Sequence, residues 1–139
     1  MLLRLALMVA LSLPLLSAQD VLDPLRRAER EIAAVQAEIV AIGTSFPNVM
    51  FMGGMTNGLR DRAVGMMALA TESPQGARSP GLRLLCLYAS GSLPMEIKML
   101  MVERANAESP AVVATLDKLI ALARGVQEFS DGIVRLHQP

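Results

Sequence analysis

Leu25, Ala28, Ile32, Val35, Ile39 and Ile42 recur at alternating spacings of three and four residues. Such a set lines one side of an α-helix and cannot lie on one face of a strand, whose side chains alternate with a period of two. Arg26, Arg27, Arg30, Glu31 and Glu38 fall away from it, as expected for a solvated face. The boundary signals agree: Asp23 is placed to cap the helix, Pro24 to occupy its first position and Gly43 to end it. The stripe covers only about two and a half heptads, short for a coiled coil, so its partners are expected within the same domain.

Further helices are expected along the chain. Residues 44–58, "TSFPNVMFMGGMTNG", lose the periodicity and read as an uncharged loop with a short extended piece at Val49–Met52. A second helix is expected from Asn57 to Thr71, with Leu59, Ala63, Met66, Met67 and Ala70 inward and Gly65 weakening it. The Pro- and Gly-rich segment 71–81 reads as a flexible linker between two helical halves, neither large enough to own a core. Leu82–Ser90 reads as a short buried helix. Pro94–Ala107 reads as a third clear helix, apolar around most of its circumference and therefore expected at the centre, with Met95, Met99 and Met101 in the core. Ser109 and Pro110 open a last helix with an inward line at Val112, Leu116, Leu119, Ala123 and Val126, and Asp131–Gly132 is a candidate break. These expectations make an all-α, bundle-like single domain of four to five helices.

Before it, residues 1–18 follow the order of a secretory signal peptide: Arg4, an apolar run from Leu5 to Leu16 interrupted by Ser12 and Pro14, then Ser17 and Ala18. The run is short for a bilayer span, which takes about 20 residues. Cleavage after Ala18 leaves residues 19–139 as the helical domain, with no later segment expected to cross a membrane and a net charge of about −1 once Arg4 is lost. With 13 basic and 13 acidic side chains in the full chain, nothing electrostatic favours nucleic acid. Cys86 is the only cysteine, so no intramolecular disulfide forms, and its apolar neighbours suggest a buried thiol. Export without disulfides points to a bacterial periplasm or to secretion.

The chemistry of catalysis finds few residues to work with. The one histidine, His137, stands next to the C-terminus, and one His with one Cys cannot make the usual zinc sets or a nucleophile–imidazole pair. Glu96 and Glu103, one heptad apart, read as solvated carboxylates, and Arg60 and Arg62 as a solvated turn. No phosphate loop or haem motif occurs. The expectation is a non-enzymatic protein.

Methionine is what remains, with ten in the chain and eight after residue 18. Thioether sulfur is a soft ligand for Cu(I), and Met50, Met52 and Met55 surround Gly53–Gly54 in a pattern that resembles the Met motifs of periplasmic copper-handling proteins over six residues. Met is equally a gap-filler of cores and of promiscuous contact surfaces, and this chain has no Trp, one Tyr and three Phe. The leading expectation is therefore an exported binding or adaptor protein of the bacterial envelope that touches a protein or peptide partner through Phe46, Met50, Phe51, Met52 and Met55. The alternative is a Cu(I) protein using Met50, Met52 and Met55 as ligands.

Overall fold

The computed structural model describes residues 18–44 and 46–138, and most of the export pattern, residues 1–17, lies outside them. Among the described residues there are four long helices and no strand: α1 (Ala18–Ile42), α2 (Asn48–Glu72), α3 (Pro80–Asn106) and α4 (Pro110–Leu136), with one 3₁₀ turn at Gly76–Arg78. They are joined by short connections, so sequential helices run antiparallel. The helices α1 and α3 occupy opposite corners, while α2 and α4 each pack against all three others.

Each helix contributes a line of buried residues that keeps a mean period near 3.6. In α1 it runs Val21, Leu25, Ala28, Ile32, Val35, Ile39, and in α3 Leu82, Cys86, Ala89, Leu93, Ile97, Leu100. This period is that of the α-helix itself, so each line stays on one side of its helix and can face the core along its whole length. The line on α4 is widened by Thr115, Ile120, Leu122 and Phe129.

Four sequence expectations are corrected. Among the described residues the first helix spans Ala18–Ile42, so Asp23 is not its cap and Pro24 lies inside it; burial of Val21 and Leu22 carries the helix upstream of the local start signal. Its end is as expected: Gly43 has φ 75°, and its N–H closes the last turn on Val40 and Ile39 carbonyls.

The second correction concerns residues 48–58, which are helical rather than a loop with an extended piece. Their inward line is Met52, Thr56, Leu59, Ala63, Met66, Ala70, and the polar Thr56 hides the period. In the structure its hydroxyl donates to the Met52 carbonyl at 2.6 Å, so a hydroxyl buried to 0% exposure is satisfied by its own helix. Met67 is half-buried beside this line. Gly65 gives closeness, not weakness: a Cβ there would stand 3.2 Å from Leu85 Cδ2 across the α2–α3 contact.

Third, Leu82–Ser90 and Pro94–Ala107 are not two helices but parts of α3, which runs unbroken through Gly91 and Pro94. The line Ala89, Leu93, Ile97 keeps its phase across the proline, whose ring points to the exposed side. Burying an apolar side chain contributes about 1.5–3 kcal/mol, so Leu93, Ile97 and Leu100 together offset a proline cost of about 3 kcal/mol. By the same logic α4 continues through Asp131–Gly132, where Ser130, Gly132 and Ile133 are buried.

Fourth, Met95, Met99 and Met101 are exposed, and the helix with the most buried residues is α4. Apolarity around a whole circumference was the signal, and it does not say which side faces the core. Between α2 and α3 the Pro/Gly-rich segment makes a tight turn with Gly76 and Ala77 buried, and Ser79 caps α3 by accepting from the Leu82 N–H at 3.3 Å.

Candidate contact surface

The residues first considered for a site are distributed around α2 and the turn before it. Met52 is fully buried, Phe51 and Met55 are half-buried against the core, and Met50 is 88% exposed. Phe46 is exposed in the connection. Consecutive helical residues differ by about 100°, so Met50 and Met52 leave opposite sides of the helix, and the three sulfurs do not close around one ion as an extended strand-and-turn would let them. The structure brings Phe51, Met52 and Met55 into the domain and leaves Phe46 and Met50 at one end of the bundle.

The ionisable groups form struts between helices. Arg62 Nη2 lies 2.9 Å from Oε1 and 2.8 Å from Oε2 of Glu96 and donates to Ser92 Oγ at 3.2 Å, tying α2 to α3. The pair is partly exposed, with Met55, Leu59 and Leu93 bordering it on the inner side. Asn48 donates to Glu103 at 2.6 Å. Lys118 pairs with Glu38, and this hydrogen bond holds the Glu38 carboxyl below its usual range. Arg104 pairs with Asp117 between α3 and α4. His137 Nε2 sits 3.1 Å from the Ala77 carbonyl oxygen, tying the end of α4 to the turn. Burial pushes the Cys86 thiol up to about 12, which leaves it protonated and unreactive near neutrality. Among the described residues no three His, Cys, Asp or Glu side chains are grouped to hold a metal ion.

One surface departs from the pattern of a solvated bundle. Among the described residues, seven of the eleven large apolar side chains that are exposed lie on α3, six of them away from its buried line and Met101 at the edge toward α4, where Arg124 Nη2 reaches its sulfur at 3.8 Å. Leu84 (65%), Tyr88 (69%), Met95 (62%) and Val102 (61%) form its spine, with Leu87, Met99 and Met101 on the flanks. Gly91 lies in the middle of this spine with open space where a Cβ would be, and Lys98 is the one charge on the spine. Ordinary side-chain areas at these exposures sum to about 600 Å², at the top of the roughly 300–600 Å² range for the largest apolar patch of a typical monomer. The unbroken α3 is also the one described helix long and apolar enough, by length and composition, to cross a membrane. Its inner line is nonetheless packed into the bundle core.

No family model, curated protein or solved structure matches the chain.

Sequence reasoning missed this surface, although its signal is present. Leu84, Tyr88, Met95 and Val102 repeat at multiples of three and four residues, half a turn away from Leu82, Cys86, Leu93 and Leu100. Two apolar lines on one helix mean two packed faces. Dividing the helix at Pro94 split both lines and merged them into one apolar circumference.

Proposed function

We propose that this chain is a non-enzymatic binding or adaptor protein of the bacterial envelope, periplasmic or secreted, that engages a polypeptide partner through the outer face of α3. The observation that carries the reading is the continuous, almost uncharged apolar surface from Leu84 to Val102. A surface of that size in water is stabilised by covering it, and helix-on-helix packing fits its straight, ridged shape. The exposed Phe46 and Met50 add a smaller apolar point at the end of the bundle. The envelope location rests on the export pattern of residues 1–18. The rival reading, a periplasmic Cu(I)-binding protein using Met50, Met52 and Met55, has less support because the helix turns Met50 away from the other two sulfurs.

The test is site-specific photo-crosslinking in the producing cells, with the reactive residue at Tyr88, at Met50 or, as a control, at Arg30 on the polar side of α1. A discrete covalent adduct to a polypeptide from Tyr88, and none from Arg30, supports the reading. Equal labelling from both positions, or none from either, refutes it. The intact mass of the protein recovered from the envelope or medium checks export, with Gln19 expected at its N-terminus.

A further inference from the structure

We infer that the polypeptide covering the outer face of α3 is a second copy of this chain, packed antiparallel about a two-fold axis near Leu93. This rests on the contact-surface reading above and names its partner. Three observations point to self-association.

The first is area. A stable interface buries about 600–1,000 Å² on each partner, and the exposed apolar side chains of α3 supply about the lower of these figures. One copy of α3 laid on another therefore covers the patch without recruiting other surface.

The second is shape. With the axis near residue 93, position i of one helix meets position 186 − i of the other, so Met95 projects onto Gly91 of the second copy, where there is open space for a side chain. The same register sets Leu84 against Val102 along the spine. Within one residue, about 1.5 Å, of that register, Tyr88 lies beside Met99 on the flank they share, a sulfur–aromatic contact of known favourable geometry. On the other, Leu87 meets the aliphatic stem of Lys98, whose ammonium group still reaches water. Every pair occurs twice, as a two-fold interface requires.

The third is charge. In a parallel pair Lys98 would face its own copy and Gly91 would face Gly91, leaving like charges together and a gap. In the antiparallel register the two Lys98 residues lie about 15 Å apart along the axis, at about 1.5 Å per residue. A membrane surface is a poorer occupant, because a peripheral helix gains much of its affinity from several Lys or Arg beside its apolar face. Here Arg83 and Lys98 on α3 and Arg124, whose Nη2 reaches Met101 Sδ at 3.8 Å, are the cations at hand, and only Lys98 lies within the apolar spine. The antiparallel dimer also places one Phe46/Met50 end at each extremity, which makes the assembly bivalent for any second partner.

The experiment combines the mass of the purified protein, measured by sedimentation, with cysteine crosslinking at exposed positions that leave the core untouched. The wild type is expected to sediment as a concentration-dependent dimer with a dissociation constant in roughly the micromolar range. Met95→Glu brings two carboxylates to within about 6 Å along the axis, and it is expected to raise that constant at least about tenfold while the helical circular dichroism stays unchanged. A chain carrying both Leu84→Cys and Val102→Cys is expected to crosslink as a dimer under mild oxidation, whereas either substitution alone leaves cysteines about 27 Å apart and gives none. A monomer at high concentration overturns the inference, as does binding of that monomer to phosphatidylcholine vesicles. Equally fast crosslinking of the single variants overturns the antiparallel register. A monomeric wild type with a Tyr88 adduct to a different polypeptide in cells rejects self-association and leaves the binding reading standing.

Discussion

Truncating Met52 and Met50 separately to alanine distinguishes a helix packed into the bundle from a methionine loop. Met52 is 0% exposed and belongs to the continuous core, while Met50, two residues earlier on the same helix, is 88% exposed. Met52→Ala removes three heavy atoms, worth about 2.4 kcal/mol at roughly 0.8 kcal/mol per buried methylene-sized group. It leaves a void of about 75 Å³ if nothing collapses, adding about 1.8 kcal/mol at roughly 24 cal/mol per Å³. Partial relaxation puts the expected loss at about 2.5–4 kcal/mol, a large share of the roughly 5–15 kcal/mol that holds a domain together. Met50→Ala touches no core atom and has an expected effect within about 0.5 kcal/mol. Urea unfolding followed by circular dichroism at 222 nm reads both, with an unchanged slope showing that stability alone has moved. Equal losses from the two variants, or a neutral Met52→Ala, would refute the packing of residues 48–58 as helix.

Three further outcomes follow from particular residues. Cys86, fully buried with its thiol pushed up to about 12, is expected to resist thiol reagents in the native state and react rapidly in denaturant; because the unfolded thiol ionises near its ordinary value of 9.0 and the folded one does not, its contribution to stability is complete below pH 9 and is lost as pH rises toward 12. Comparing alkaline unfolding of the wild type and Cys86→Ala isolates that part, and an identical pH dependence would count against burial of the thiol. Pro94 sits inside α3 on its exposed side, so Pro94→Ala is expected to restore a helical hydrogen bond to the Ser90 carbonyl and raise stability by about 1–3 kcal/mol, read as a higher urea midpoint; a lower midpoint would contradict the unbroken helix. Since Met50 and Met52 leave opposite sides of α2, no tight Cu(I) uptake is expected in competition with a chromophoric chelator, and stoichiometric uptake abolished by replacing Met50, Met52 and Met55 with Leu would establish the copper reading instead.

Helical class and much of the core were legible from local pattern. Leu25, Ile32, Val35 and Ile39 on α1, Leu59, Ala63, Met66 and Ala70 on α2, and Val112, Leu116, Leu119, Ala123 and Val126 on α4 are buried where their spacing placed them. Periodicity reports such faces because it is a property of one helix alone. It could not report Thr56 as a core residue, since a hydroxyl becomes admissible in a core only when the formed helix offers it the Met52 carbonyl. Nor could it carry α3 through Pro94 or α2 through Gly53–Gly54, because local penalties there are outweighed by burial against other helices, which no window of neighbouring residues contains.

The sequence by itself determined that the chain forms amphipathic helices, that its charges are balanced, and that it offers one histidine and one cysteine to chemistry. Only the tertiary structure decided that Arg62 and Glu96 meet, that Met52 turns in while Met50 turns out, and which of the two apolar lines on α3 is core and which is surface. The reason is that burial belongs to a pair of surfaces, and a helix apolar on two sides specifies two contacts without saying which its own domain supplies.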